Sequence, residues 1–275
     1  MLLEIVAIPL GNAGDLSLRA KNSIISADII VCEDSRKVQS LLSFAGLTSS
    51  ARILPIPAAK EESFQWNTFI EENTGKRVVL LSDAGTPIVN DPGRHLIGAM
   101  QKKSLAYQAI PGPCAPILAL QWSGGFGLPV YFAGFVPRKK MEDFFKKGLS
   151  CKTFIFFETK HHFEASFEVM LSLGWGSRRM YVAREMTKAH EQLLRGDVES
   201  VFAELKRVRN ENSGALGEMT FVLEGDGAAL PKETLSLKDI QAIRCGSVKM
   251  ASKLLAKITD LSASELYQEM SQWKP

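Results

Sequence analysis

RVVLLSDAGTPIVNDPG, residues Arg77–Gly93, is a short apolar run that breaks abruptly into a loop of small and turn-forming residues. Val78 to Leu81 read as a buried strand, bounded at once by Ser, Asp, Gly and Pro. Gly85 and Pro87 bend the chain, and Ala84 and Thr86 are small enough to let a ligand approach the backbone. Asp83 stands at the strand end, where its carboxylate can accept hydrogen bonds from a ribose or an amino group. The plainer reading is an ordinary strand-to-helix loop in which Asp91 caps the following helix.

Working outward, the same strand–loop–helix rhythm recurs. Strands are predicted at Leu3–Ile8, Ile29–Cys32, Arg52–Pro55, Arg77–Leu81 and Ala106–Ile110. Helices are predicted near Leu16–Ser26, Arg36–Phe44, Phe64–Glu72 and Arg94–Lys103. This alternation predicts an α/β fold with a largely parallel sheet. Four loops follow strands: GNAGD (Gly11–Asp15), EDSR (Glu33–Arg36), SDAGTP (Ser82–Pro87) and PGPCAP (Pro111–Pro116). An open α/β sheet binds ligands at such strand ends. Together the loops predict a concave, backbone-lined pocket suited to a small molecule carrying a sugar and an adenine.

WSGGFGLP, Trp122–Pro129, breaks the pattern and reads as a linker. Further strands are predicted at Val130–Phe135, Thr153–Glu158, Met180–Arg184 and Glu218–Leu223. The expected organisation is an N-terminal α/β domain (1–122), a second α/β domain (123–230) and a helical tail (231–275). In the tail, Val248, Ala251, Leu254, Leu255 and Ile258 share one helical face, and Lys249, Lys253 and Lys257 share the other. Ser262 to Glu265 form a capping-box pattern that opens a last helix through Trp273. A small nucleic-acid-binding tail competes here with a packed hairpin.

Composition excludes several classes. The 275 residues carry a formal charge of +3, with 45% hydrophobic and 23% charged, as in an average globular protein and unlike a disordered, collagen-like or coiled-coil chain. Apolar runs such as Thr153–Phe157 fall far short of the ~20 residues of a membrane span. Glu4 and the lack of a basic n-region speak against a signal peptide, so a cytoplasmic protein is expected. Cys32, Cys114, Cys151 and Cys245 are scattered, and His95, His161, His162 and His190 form no HExxH, so reduced thiols and no metal are expected. Ala13 in GNAGD breaks the dinucleotide fingerprint, and neither a phosphate-binding GxxxxGK[ST] nor a GxSxG elbow occurs. Two stretches are basic: Arg138–Lys152 has a local charge of +4 and Arg178–Arg209 one of +3. Either holds a polyanion or is a solvated helix face.

Two charged clusters stand at strand ends. In EDSR, Asp34 as a helix N-cap competes with a sharper reading, in which Arg36 grips a phosphate and an acid orients a hydroxyl. REMTKAHEQLLRG (Arg184–Gly196) gathers Arg184, Glu185, Lys188, His190 and Glu191, either as a surface ion-pair network or as a substrate-facing wall.

Taken in order, GNAGDLSLRA, EDSR, SDAGTPIVNDPG, PGPCAP, GFVPRK (Gly134–Lys139), REMTK with HEQLLRG, and GEMTFVLEG (Gly217–Gly225) resemble the ribosomal RNA small-subunit methyltransferase I family. That family is the cytidine-2′-O-methyltransferase branch of the tetrapyrrole methylase superfamily. The likeness runs from about residue 3 to the C-terminus. It implies two α/β domains with S-adenosylmethionine in the cleft between them, a homodimer, a helical tail matching Ser247–Trp273, and small-subunit ribosomal RNA, in an assembled particle, as substrate. It implies that Pro9, Asp83, Ala84, Gly85, Ile88, Cys114 and Ala115 line the cofactor. On the substrate side we expect Asp34, Arg36, Glu185 and Lys188 as catalytic residues, and Arg138, Lys139 and Arg184 as substrate-binding ones. The base is Glu33, Asp34, Glu185 or a neutral Lys188, and the sequence does not choose. Departures from the family pattern are Ser35 for Thr, Cys114 for Ser, PIPAAKEES (Pro55–Ser63) for a His/Asn/Glu-rich segment, and Lys160-His161-His162 for Pro-His-Arg. A tetrapyrrole or other small-molecule methyltransferase of this fold, and a non-catalytic RNA-binding or assembly protein, are the competing readings.

Overall fold

Five apolar runs in the first half form one parallel sheet: β1 (Leu2–Val6), β2 (Ile29–Cys32), β3 (Arg52–Pro55), β4 (Arg77–Leu80) and β5 (Tyr107–Ile110). Their order in the computed structural model is β3-β2-β4-β1-β5. The structure describes residues 1–211, 216–226, 247–256 and 262–271. Cys245, Lys257, Ile258, Trp273 and the expected boundary at 230 lie outside the described residues.

The three central strands are apolar along most of their length because both faces of the sheet are covered. Leu3, Ile5, Ile29, Val31, Val78 and Leu80 face one way, onto α4 (Trp66–Glu72) and α5 (Arg94–Lys102). Val6, Ile30, Cys32 and Val79 face the other way, onto α1 (Leu18–Ile25) and α2 (Ser35–Phe44). One short helix, α3 (Ala58–Glu61), was not anticipated. The crossover from β1 passes β4 to reach β2, and the crossover from β4 passes β1 to reach β5. The loops leaving the two central strands therefore diverge and open a crevice at their carboxyl ends.

The second sheet contains β6 (Val130–Phe135), β7 (Thr153–Glu158), β8 (Arg179–Arg184), β9 (Gln192–Asp197) and β10 (Met219–Glu224), in the order β6-β7-β10-β8-β9. Only β6 and β7 run parallel; every other neighbour is antiparallel. This corrects the expectation of a largely parallel arrangement for this half. Strand β9 was missed altogether. It is an edge strand with a single buried residue, Leu194, so QLLRGD lacks the apolar density that marks a strand.

Helices α7 (Met141–Gly148), α8 (Phe163–Ser172) and α9 (Val198–Glu211) cover one face of this sheet with an aromatic core. Phe156 stacks on Phe221 with ring centroids 5.1 Å apart. The other face is covered by α6 (Ala115–Ser123), whose Ala119 packs with Ile155, Ala183 and Val222. Helix α6 starts in the PGPCAP loop of the first sheet, so it ties that loop to the second sheet. It keeps Trp122 and Ser123, and ends at Gly124, in the left-handed region at φ +75°.

In the tail, α10 (Val248–Leu255) and α11 (Ala263–Met270) pack on each other. The capping box forms reciprocally: the Ser262 N–H donates to Glu265 Oε2 at 2.7 Å, and the Glu265 N–H donates to Ser262 Oγ at 3.2 Å. Among the described residues no helix is long and apolar enough to cross a membrane.

Candidate active site

The loops after β1, β4 and β5 are stitched into one wall. The Ile8 N–H donates to the Gly85 carbonyl at 2.8 Å, and the Gly85 N–H donates to the Ile8 carbonyl at 3.1 Å. Thr86 Oγ1 donates to the Pro113 carbonyl at 2.8 Å. Gly85 sits at φ +71°, and a Cβ there would lie 3.0 Å from Leu10 Cδ2. Ile88, at φ +75°, is a β-branched residue in the left-handed region, a strained backbone that persists only where its surroundings enforce it.

Asp91 does not cap the next helix. The N-cap of α5 is Gly93, and the amides of Gly93 and His95 donate to Glu61 Oε1 at 2.9 and 2.8 Å. Glu61, buried at the end of α3, serves as the cap from thirty-two residues away. Asp91 is thereby released to line a cavity of about 630 Å³. Burial, then the neighbouring charges of Glu33 and Asp83, push its carboxyl up to about 6. Burial also raises Asp83, whose Oδ1 is buried with no hydrogen-bond partner among the described residues.

The opposite wall comes from the second sheet. At the end of β8, Glu185 takes φ +48° and its Oε1 accepts the Glu218 N–H at 2.8 Å. Lys188 Nζ donates to Glu185 Oε1 and to Glu218 Oε2, both at 3.0 Å. Gly217, at φ +69°, is required: a Cβ would lie 2.3 Å from the Glu185 carboxyl carbon. Burial alone would raise Glu185, but the Glu218 amide and Lys188 outweigh it and hold the carboxyl low. Burial would lower Lys188, but its two carboxylate partners outweigh it, so the amine stays an ammonium. That arrangement disfavours a neutral Lys188 as the base. Gly11 of GNAGD packs on the Lys188 stem, where a Cβ would come within 2.3 Å of Cγ. The two halves of the chain meet at this contact.

Of the residues expected at the site, Asp83, Ala84, Gly85, Cys114, Ala115, Glu185 and Lys188 line the cavity; Pro9, Ile88, Asp34, Arg36, Arg138, Lys139 and Arg184 do not. Asp34 caps α2 by accepting the Arg36 N–H at 2.9 Å, and its carboxyl, bonded to the Arg36 guanidinium, is held down at about 2. Arg36 remains 86% exposed beyond it. Arg184 is buried, donating to the Leu216 carbonyl at 3.0 Å and to Gln192 Oε1 at 2.6 Å, a contact that ties β8 to its hairpin partner. Sequence reasoning missed Asn90, Asp91 as a lining residue, Phe135, and Phe157 to His161. The last group spans the end of β7 and the loop beyond it, so the strand-end logic applied to the first sheet would have found it. Within it, Thr159 Oγ1 is buried with no partner among the described residues.

The two basic stretches differ. In the second, Arg178 pairs with Asp226, Arg179 with Glu224, Arg207 with Glu204 and Glu211, and Arg209 with Glu164. In the first, Arg138, Lys139 and Lys140 are exposed and form no ion pair among the described residues.

A crevice at the carboxyl ends of one α/β sheet, closed by a second mixed sheet, is the architecture of a methylase family. Residues 3–201 match the tetrapyrrole (corrin/porphyrin) methylases, and the chain belongs to that family. It is 36% identical over 229 residues to a Hydrogenobaculum sp. protein named ribosomal RNA small subunit methyltransferase I, covering 81% of this chain and 95% of the relative. A protein of the same name from Escherichia coli O157:H7 is 32% identical over 273 residues, covering 97% of this chain and 93% of the relative. The fold is shared with a crystal structure of diphthine synthase, at a TM-score of 0.60 and 16% identity, covering 98% of this chain and 99% of that one.

Proposed function

We propose that this protein transfers the methyl group of S-adenosylmethionine to the ribose 2′-hydroxyl of a cytidine in small-subunit ribosomal RNA. The observation that carries the reading is Asp83, which offers a buried carboxylate oxygen with no partner at the mouth of a glycine-cradled loop. Relatives named for small-subunit ribosomal RNA methylation, matched along most of the chain, support the substrate class. The cofactor fits this wall: Asp83 to accept from its sugar or amino group, Ala84 and Gly85 to admit it to the backbone, Cys114 and Ala115 at the start of α6, and Pro9 and Ile88 shaping the loops behind. The cofactor supplies an activated methyl group. The chain supplies alignment, exclusion of water and removal of a proton.

In this reading Lys188, held charged between Glu185 and Glu218, orients the incoming nucleotide. Arg36, exposed and steadied by Asp34, meets a phosphate, as do Arg138 and Lys139. Arg184 braces the hairpin that carries Glu185. Among the acids, Asp91 has the proton affinity that a base working near neutral pH requires. The protein acts as a homodimer on an assembled particle. Edge strand β5 leaves Tyr107 to Ala109 uncovered, and Ile117 on α6 is 60% exposed, which gives a second copy a surface to bury.

The test is calorimetry with S-adenosylmethionine, followed by methyl transfer from labelled cofactor to isolated small ribosomal subunits. Binding with alkali-resistant label at one ribose is the expected result. Binding with no label in the RNA would assign another substrate, and no binding would remove the enzyme reading.

A further inference from the structure

Phe135 is an anomaly: a phenylalanine 49% exposed at the rim of the cavity, in a half of the molecule that buries six of its phenylalanines almost completely. The backbone is bent to put it there. On a regular strand, residues three apart point to opposite faces. Yet the rings of Phe132 and Phe135 both pack on Phe157, with centroids 5.0 and 5.2 Å away. The pairing of β6 with β7 slips between Phe132 and Phe135, and a bulge of this kind re-aims a side chain beside a site. Gly134 within the slip takes φ +73°, and a Cβ there would come within 2.8 Å of Asn90 Oδ1. The end of β6 is thus pressed against the loop that carries Asp91.

We propose that Phe135, backed by Phe157, is a stacking platform for the unstacked nucleobase of the substrate nucleotide. This rests on the RNA-methylating reading above and names its recognition element. A ribose 2′-hydroxyl reaches an enclosed site most readily when its nucleotide is drawn out of its stack, and the exposed base then needs an aromatic face. The surroundings suit that occupant. The exposed Arg138, Lys139 and Lys140, which form no ion pair among the described residues, follow directly along the chain and favour a phosphate backbone. Thr159, two residues beyond Phe157, lines the same cavity and carries a hydroxyl with no partner among the described residues, which in this proposal supplies a hydrogen bond at a base edge.

The platform is tested with Phe135→Leu, Phe135→Ala and Phe135→Trp. The leucine variant keeps the apolar volume and loses the π-face; an exposed position leaves the fold intact, checked by the melting curve. We expect kcat/KM for small ribosomal subunits to fall about 10- to 100-fold in the leucine and alanine variants and to be retained with tryptophan. S-adenosylmethionine affinity should stay within about twofold by calorimetry. In Phe135→Trp, oligocytidylate should quench the added emission relative to wild type, and inorganic polyphosphate should not. A leucine variant that transfers methyl groups like wild type, or an absence of quenching, overturns the platform. A parallel loss of cofactor affinity overturns it too, by assigning the ring to the cofactor's adenine. Failure of the unmodified protein to label RNA is a different result and removes the function proposed above.

Discussion

Asp83 and Asp91 stand eight residues apart on one loop, and burial moves both in the same direction. For Asp91 the consequence has a definite sign. Its native carboxyl, at about 6, binds a proton more tightly than in the unfolded chain. Its contribution to stability is therefore fully present below the unfolded value near ~4 and is lost as pH rises through 6. Asp91→Asn should melt higher than wild type at pH 8, and the difference should vanish on acidification to about pH 4. Comparing melting temperatures of the two proteins across that range isolates the group from Asp34 and Glu185, whose lowered values act oppositely. A constant difference at every pH would mean that Asp91 is not the titrating group. For Asp83, the function proposed above predicts a change in ligand affinity: Asp83→Asn should weaken S-adenosylmethionine binding by about 10-fold or more, since a donor would replace the acceptor assigned to the cofactor. Unchanged affinity in calorimetry would separate Asp83 from the cofactor.

At the scale of elements, the cap on α5 governs the loop that carries both acids. Glu61→Ala leaves the Gly93 and His95 amides without their acceptor. We expect a loss of about 1–3 kcal/mol in denaturant unfolding, with Glu61→Gln costing less because one carbonyl acceptor remains. Cofactor affinity should fall with it. The same cap shows where reading the sequence stops. The strands of the first sheet were found because their apolar runs end sharply at Gly, Pro and Asp, and the loops that line the cavity were found with them. Asp91 was assigned the local role that its spacing allows, since nothing local reveals a competitor arriving from α3. Strand β9 was missed because an edge strand needs few buried residues. Phe135 was missed for another reason: a bulge changes which face a residue serves without changing the residue. Local chemistry announces itself in the chain, whereas roles set by long-range hydrogen bonds or register slips do not.

At the scale of the whole molecule, a net charge of +3 conceals an uneven field. The Arg178–Arg209 stretch carries the same sign as Arg138–Lys152, but its arginines are largely neutralised by Asp226, Glu224, Glu204, Glu211 and Glu164. Exposed ion pairs of this kind add little to stability and leave little charge for a partner. Arg138, Lys139 and Lys140, which form no ion pair among the described residues, keep theirs a few residues along the chain from Phe135. A polyanion approaching the cavity should therefore be held at one edge only. Reversing Arg138, Lys139 and Lys140 together to Glu should abolish detectable binding of small ribosomal subunits at physiological salt. In filter binding at low salt, the dependence of log affinity on log salt should flatten by about 2–3 units, the number expected for three lost phosphate contacts. S-adenosylmethionine affinity should not change, because none of the three lines the cavity. Arg207→Glu serves as the contrast: it inverts a charge already paired with Glu204 and Glu211, and should leave the salt slope within about half a unit. If Arg207→Glu flattened the slope as much as the rim reversal does, RNA would be held by the α9 face, and the field that steers it would run across the second sheet's outer layer instead of along the cavity mouth.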